Sequence, residues 1–425
     1  MFFLTTDTEK NDPLARSTCY RLYDSNPGAK VAQCMVLGIG GFTLMKKLGL
    51  MPDIFHMNEA HALPAAFKLF EEFGTVEQVK KHLVFTTHTP EEAGNEKHLL
   101  HFLEQMGFFG NLNLDTVRAI SGVEGEIFNH SLVALRLSRK ANAVSKLHGD
   151  VSRSMWSSYP DICPIIHITN SQNRPYWMDK YMLEHLQTDN LEGLYNRKKQ
   201  LKQLLFEEVA DQTGKWFDPE VLTIVWARRF AQYKRPDLIT RDLQAFEDLL
   251  KDARQPVQII WAGKPYPLDQ QSINIFNHLV KMGWSYPNMA VLTGYELKLS
   301  RLLKYGADIW LNTPIVTREA SGTSGMTASM NGGINLSTDD GWICEFAQHG
   351  RNAFVMPKAP EYLNEEERDE FDRQSFYNVL NQEVKPLYYN DPVRWKKIMQ
   401  QSMNDVLAYF ESSRMAEEYY RLLYA

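Results

Sequence analysis

The sequence predicts an α/β protein of two Rossmann-like, doubly wound domains facing a cleft, followed by a C-terminal helical tail. Three observations carry this. The chain has 425 residues, enough for two or three domains that each bury a core. Short continuous apolar runs alternate with amphipathic stretches from end to end, the pattern of a parallel sheet covered on both faces. The residues able to do chemistry fall where the apolar runs stop, the end at which such sheets bind ligands.

Taken in order, Asp53–His56 reads as a first strand and Ala60–Phe73 as a helix, with Pro64 tolerable in its first turn. Leu83–His88, Ala141–Ser145 and Ile165–Thr169 read as further strands. Leu191–Gly214 is a charged helix ending at a Gly/Pro-containing break, which sets the first domain at residues 1–217. The second domain, 218–380, alternates strands at Val221–Ala227, Val257–Gly263, Met289–Thr293, 307–312 and 334–338 with helices at Pro236–Asp252, Gln270–Gly283 and Leu297–Tyr305. Pro392–Tyr424 reads as a long helix within the tail, 381–425.

Net charge of −6 argues against a general nucleic-acid or membrane binder. Cys19, Cys34, Cys163 and Cys344 show no C-x-x-C spacing, which fits a reducing compartment better than a disulfide framework or a zinc site. The first residues lack a basic n-region, and no segment has the length of a membrane span, so the cytoplasm is the expected location.

Four stretches carry the chemistry. Ala227-Arg228-Arg229-Phe230-Ala231-Gln232-Tyr233-Lys234-Arg235 puts four cations directly after a buried strand of an acidic chain. Arginine forks and a lysine point charge suit phosphate oxygens; a solvated turn with surface ion pairs is the plain alternative. Glu319-Ala-Ser-Gly-Thr-Ser-Gly-Met-Thr-Ala-Ser-Met330 follows the 307–312 strand and opens a helix. Its glycines and small hydroxyls make a nest of backbone N–H groups for an anion, or a tight helix–strand approach. His56-Met57-Asn58-Glu59-Ala60-His61 crosses a strand–helix junction and lacks the H-E-x-x-H spacing of a zinc helix, so no metal site is assigned. Thr86-Thr87-His88-Thr89 leaves a histidine at a strand end, where a satisfied rim residue is the ordinary reading. Leu37-Gly-Ile-Gly-Gly41 lacks the dinucleotide spacing.

The nest resembles the E-A-S-G-T-x-x-M-K motif of the α-glucan phosphorylases, particularly the shorter bacterial type. Arg229 to Arg235 resembles their R-x-x-x-Y-K-R, Asn58 to His61 their N-[DE]-x-H, and Thr86 to Thr89 their T-x-H-T. The resemblance covers essentially the whole chain. It implies a glycosyltransferase-B-type fold and retaining transfer of glucosyl between an α-1,4-glucan and orthophosphate, with glucose 1-phosphate as product. It implies that Arg229 and Lys234 grip the substrate phosphate and that Arg228 sits near the cofactor phosphate. Ser321 and Gly322 would contact the glucosyl unit, Thr323 and Ser324 would cradle phosphate, and Glu319 at the lip would hold a sugar hydroxyl. His88 would contact the reacting glucose, with Asn58, Glu59 and His61 on the acceptor side. Lys264 would flank the phosphate region, and Asp340-Gly341-Trp342 would form a turn.

Two departures stand out. The family's lysine carries pyridoxal phosphate as a Schiff base, and that position here is Thr327, which cannot form an imine. Covalent cofactor is therefore not expected, while non-covalent binding by the nest and the arginines stays open. The match also begins partway into the first domain, without the family's N-terminal glycine-rich loop. Either the chain is a fragment or truncated product, or the missing strands come from elsewhere; a sheet without them would expose an edge, which predicts poor solubility or a requirement for a partner. Expected partners are α-glucan or maltooligosaccharide and phosphate, with room for a homo-oligomer and none for nucleic acid or membrane. Two rival readings are a cofactor-independent transferase using a sugar-nucleotide or sugar-phosphate donor, and a non-catalytic glucan-binding protein.

Overall fold

The computed structural model describes residues 1–22 and 24–425. Internal contacts divide the chain into two units, Met1–Ile168 with Glu417–Ala425, and Thr169–Ala416. Both are α/β with parallel sheets.

In the first unit, strands β1 (Phe55–Asn58), β2 (Leu83–Thr86), β5 (Lys140–Ala143) and β6 (Ile165–His167) form a parallel sheet in the order β1-β2-β5-β6. An antiparallel pair, β3 (Lys97–Leu99) and β4 (Ile127–Asn129), lies outside it. The apolar runs form strands because their side chains are buried: Leu83, Val84 and Phe85 have no exposure. Phe67, Phe108, Phe109 and Phe128 meet edge-on or tilted in the core, the arrangement that aromatic quadrupoles favour.

β1 begins two residues later than the expected Asp53–His56. The register Asn58↔Thr86 therefore puts Asn58 and Glu59 at the carboxyl end. The helix expected from Ala60 starts as a 3₁₀ turn, Ala60–Ala62, and becomes α at Pro64–Phe73. Pro64 takes the first helical position, where its missing N–H has no partner to lose.

Leu37–Gly41 lies inside the helix Pro27–Lys47, as a π segment over Val36–Gly40. Gly38 lets this helix close on the next, since a Cβ there would lie 2.8 Å from the Ala65 nitrogen. Pro27–Lys47 has 21 residues and a mean hydropathy of 1.3, long and apolar enough to cross a membrane by length and composition. That corrects the expectation that no segment reaches such a length. Val31 and Phe42 anchor the helix in the first core.

The second unit carries six parallel strands: β7 (Leu222–Ala227), β8 (Val257–Ala262), β9 (Met289–Leu292), β10 (Ile309–Asn312), β11 (Ile334–Ser337) and β12 (Ala353–Val355). Their order is β12-β11-β10-β7-β8-β9. Winding runs outward from β7 one way, then returns to its other side at β10. The β7/β10 seam is thus the topological switch point, where doubly wound sheets bind ligands beyond the strand carboxyl ends.

The helix expected over Pro236–Asp252 is split into a 3₁₀ turn, Leu238–Thr240, and an α-helix, Leu243–Lys251, capped by the Asp242 carboxylate. The contact division falls earlier than the composition break near 217. Leu191–Thr213 packs on the second sheet, with Leu194 and Leu201 in its main core.

The tail is not one helix. Pro392–Tyr409 buries Trp395, Met399 and Val406 in the second unit, and the chain restarts at Ser412. Its last residues join the first unit. There the Tyr424 hydroxyl lies 2.8 Å from His56 Nδ1, and His56 Nε2 lies 2.6 Å from the Thr86 hydroxyl. Thr86 donates onward to Asn142 Oδ1 at 2.6 Å, so the imidazole donates to Thr86 and accepts from Tyr424.

Candidate active site

The cation cluster and the nest meet at the switch point. Arg228 is the first residue after β7, and Glu319 lies on the loop after β10. Glu319 Oε2 accepts from Arg228 Nη1 at 3.1 Å and from Lys234 Nζ at 2.7 Å. Glu319 therefore does not stand free at a lip: it is drawn inward by two cations. Burial alone would raise its pKa; Lys234 and then Arg228 overcome that and hold the carboxyl below its ordinary value. Arg229, on the same loop, is exposed and adds to the positive field on Glu319.

Arg235 ties the two loops together. Its Nε donates to the Thr313 carbonyl at 2.8 Å and its Nη2 to the Pro314 carbonyl at 2.9 Å. Asp369 accepts from its Nη1 at 2.7 Å and Asp372 from its Nη2 at 2.6 Å. The Thr313 hydroxyl donates back to the Lys234 carbonyl at 2.9 Å. The loop bearing Lys234 and the loop bearing Glu319 are thereby one cross-braced unit.

The nest opens at Gly322, whose φ of 93° suits glycine and turns the chain into the helix Thr323–Met330. Thr323 and Ser324 occupy its first turn. Beneath it, Asp340 accepts from the Glu319 N–H at 2.9 Å and the Gly341 N–H at 2.8 Å. Burial, and then the Glu319 charge, push Asp340 up to about 8. Two neighbouring carboxyls are thus driven apart, Glu319 ionised and Asp340 proton-bearing near neutrality.

Two buried atoms at this seam, Arg228 Nε and Ser321 Oγ, have no hydrogen-bond partner among the described residues. Buried polar groups are rarely left so, and a ligand is one reason that they are. Thr327 lies one turn into the helix with no exposure, its hydroxyl 3.5 Å from the Thr323 carbonyl.

In the first unit, a second cluster forms beyond β1 and β2. His88 Nε2 lies 2.6 Å from Asn58 Oδ1. Burial lowers His88 to about 4, so the ring is neutral at pH 7. With Nε2–H donating to Asn58, Nδ1 is left as an acceptor. Glu59 adopts φ 57° and ψ 179°, a strained conformation for a side-chain-bearing residue. Its carboxylate takes the His88 N–H and the Thr89 hydroxyl, and burial raises its pKa. Glu59, His61, Thr89, Asn95 and His130 line one cavity of about 110 Å³. Asn95 Oδ1, on its wall, is buried without a hydrogen-bond partner among the described residues.

The structure thus gathers Arg228, Lys234, Glu319, Ser321, Gly322 and Thr323 in one unit, and Asn58, Glu59, His61 and His88 in the other. Lys264 offers its carbonyl to Phe230 N–H, and its side chain is exposed. Asp340 does more than form a turn. Neither its role nor that of Arg235 as brace has a local signature in the sequence, beyond Arg235's membership of the cation cluster. No group of three or more His, Cys, Asp or Glu able to hold a metal occurs among the described residues.

The cations after β7 and the glycine-opened helix start after β10 thus lie together at the switch point of a doubly wound sheet. The profile of the carbohydrate phosphorylase family matches residues 176–385. The chain is 45% identical over 426 residues to an uncharacterized protein of Methanocaldococcus jannaschii, covering all of this chain and 79% of that one. It is 33% identical over 486 residues to the maltodextrin phosphorylase of Thermococcus litoralis, covering 100% and 57%. It is 31% identical over 495 residues to the glycogen phosphorylase of Aquifex aeolicus, covering 100% and 70%. The chain belongs to the carbohydrate phosphorylase family.

Proposed function

We propose that this protein is a hexosyltransferase of the glycogen and maltodextrin phosphorylase type, of glycosyltransferase-B architecture, moving glucosyl between an α-1,4-glucan and orthophosphate with retention. The observation that carries this is the Arg228–Glu319–Lys234 contact at the switch point, beside a nest with two unpartnered buried polar atoms. Arg228, Arg229 and Lys234 supply the charge that a phosphate dianion needs. Arg228 Nε and Ser321 Oγ would find their missing partners in its oxygens. His88 Nδ1 would accept from a hydroxyl of the reacting glucose, and Asn58, Glu59 and His61 would hold the acceptor side of the glucan. Four free cysteines support a reducing compartment, the cytoplasm.

The family's pyridoxal phosphate fits in part. Its phosphate end suits the Gly322 turn, Thr323, Ser324 and Arg228. Its aldehyde end does not fit, because Thr327 offers a buried hydroxyl where an imine needs an amine. Lys234 is committed to Glu319, and Lys198 donates to the Tyr305 and Asn331 carbonyls at 2.8 and 2.9 Å. Any pyridoxal phosphate would be exchangeable. The same residue favours a second reading, a transferase whose sugar-phosphate or sugar-nucleotide donor places its own phosphate in the nest.

The test is glucose 1-phosphate release from maltoheptaose and orthophosphate, with and without added pyridoxal phosphate. Release in either condition supports phosphorolysis. No release, with stabilisation by a sugar nucleotide, would favour the second reading.

A further inference from the structure

Two tryptophans stand apart from the rest. Six of the nine are buried at 3% exposure or less, whereas Trp216 is 89% exposed and Trp284 is 77% exposed. An indole is a large apolar surface, and leaving one in water forgoes the burial that normally places it inside.

The fold brings the two segments together. Lys215, next to Trp216, donates its ammonium to the Gly283, Tyr286 and Met289 carbonyls, capping the end of the helix Gln270–Ser285 that carries Trp284. A groove of about 470 Å³ runs here, lined by Thr213, Lys215, Val280, Trp284 and Val291 among others. That volume lies within the range of small-ligand sites. Its one lining cation, Lys215, is consumed by three carbonyls. The groove therefore presents indole, aliphatic carbon and hydroxyl, with no free charge to draw an anion or an acidic peptide.

A neutral polyol with an apolar C–H face complements such a surface: the face stacks on an indole and the rim hydroxyls stay solvated. We propose that Trp284 and Trp216 form a surface anchoring site for an α-1,4-glucan chain, separate from the switch-point cations and the His88 cluster. This rests on the glucan specificity proposed above. The site would hold a polymer by its length, where the reaction needs only its end.

The test is retardation of the full chain in native gels containing soluble starch, with dextran gels as reference and solution mass measured in parallel. The expected result is selective retardation by starch, about tenfold weaker in W216A/W284A, and retained in H88A. Unchanged retardation of the double variant, equal retardation by dextran, or loss only in H88A would overturn the site. So would a fall in solution mass with starch binding intact, which would make this a face between two copies. Tryptophan-dependent retardation without glucose 1-phosphate release would leave the anchoring site standing and remove the catalytic reading. Release without such retardation would do the reverse.

Discussion

On the cofactor placement proposed above, Thr327 sets what the nest can do covalently. A hydroxyl can add to an aldehyde only as a hemiacetal and forms no imine, whereas a lysine at the same buried position could form one. T327K is expected to give a borohydride-trappable adduct with pyridoxal phosphate, located by peptide mass mapping, while the native chain gives none at this position. A folded T327K that stays unlabelled would mean that the cavity no longer admits the ring. Glu319 makes the complementary case. Its carboxylate compensates two cations that are otherwise nearly dry, so E319Q leaves positive charge without a partner, a defect of about 3–5 kcal/mol in a buried setting. Orthophosphate should then bind in its stead. The rise in Tm on adding phosphate is expected to be larger for E319Q than for the native chain. An equal or smaller rise would show that the two cations do not face the anion site.

At the scale of elements, the two switch-point loops are as firm as their brace. R235A would strip four acceptors of a buried guanidinium, the Thr313 and Pro314 carbonyls and the Asp369 and Asp372 carboxylates. A loss of about 3–5 kcal/mol is expected from denaturant unfolding, and R235K should recover part of it. Equal stability of R235A and the native chain would refute the brace. These loops also mark what was legible in the sequence. β7, β8 and β10 are readable because each is a short, largely apolar run followed by glycine or polar residues. The cations and the nest were readable because glycine and charge cluster there. The brace was not, because Arg235 meets Asp369 and Asp372 across more than a hundred residues, and no local pattern encodes that pairing. β12 has no sequence signature because three residues, Ala353–Val355, are too short for an apolar run. β1 was placed two residues early because His56, which looks polar, is satisfied inside by Thr86 and Tyr424. The apolar pattern overstates the helix at 236–252 because Asp242 offers a cap that starts the helix after the preceding turn.

Over the whole molecule, the buried histidines of the first unit and Asp340 of the second carry opposite pH liabilities. In the first, His56, His88 and His148 are lowered to about 4 and His130 to about 3, mainly by burial. Each unfolded imidazole takes its proton near 6.5, the folded one only far below. The unfolded state therefore binds more protons between these values, and the contribution is complete above 6.5 and is lost as pH falls. At one unit below 6.5 each group costs about 1 kcal/mol. In the second unit Asp340 runs the other way. Its folded carboxyl keeps a proton to about 8, against an ordinary 3.8, so its contribution is lost as pH rises toward 8. Glu319, held low, loses its contribution only as pH falls below its ordinary 4.5. Between pH 7 and 5.5 the first unit should weaken while the second holds or gains. Hydrogen exchange by segment, corrected for the intrinsic pH dependence of exchange, tests this. Protection of β2 and β5 is expected to fall on acidification relative to β7, β8 and β10. Parallel loss in both sheets would mean that the buried histidines do not set the acid limit of this protein.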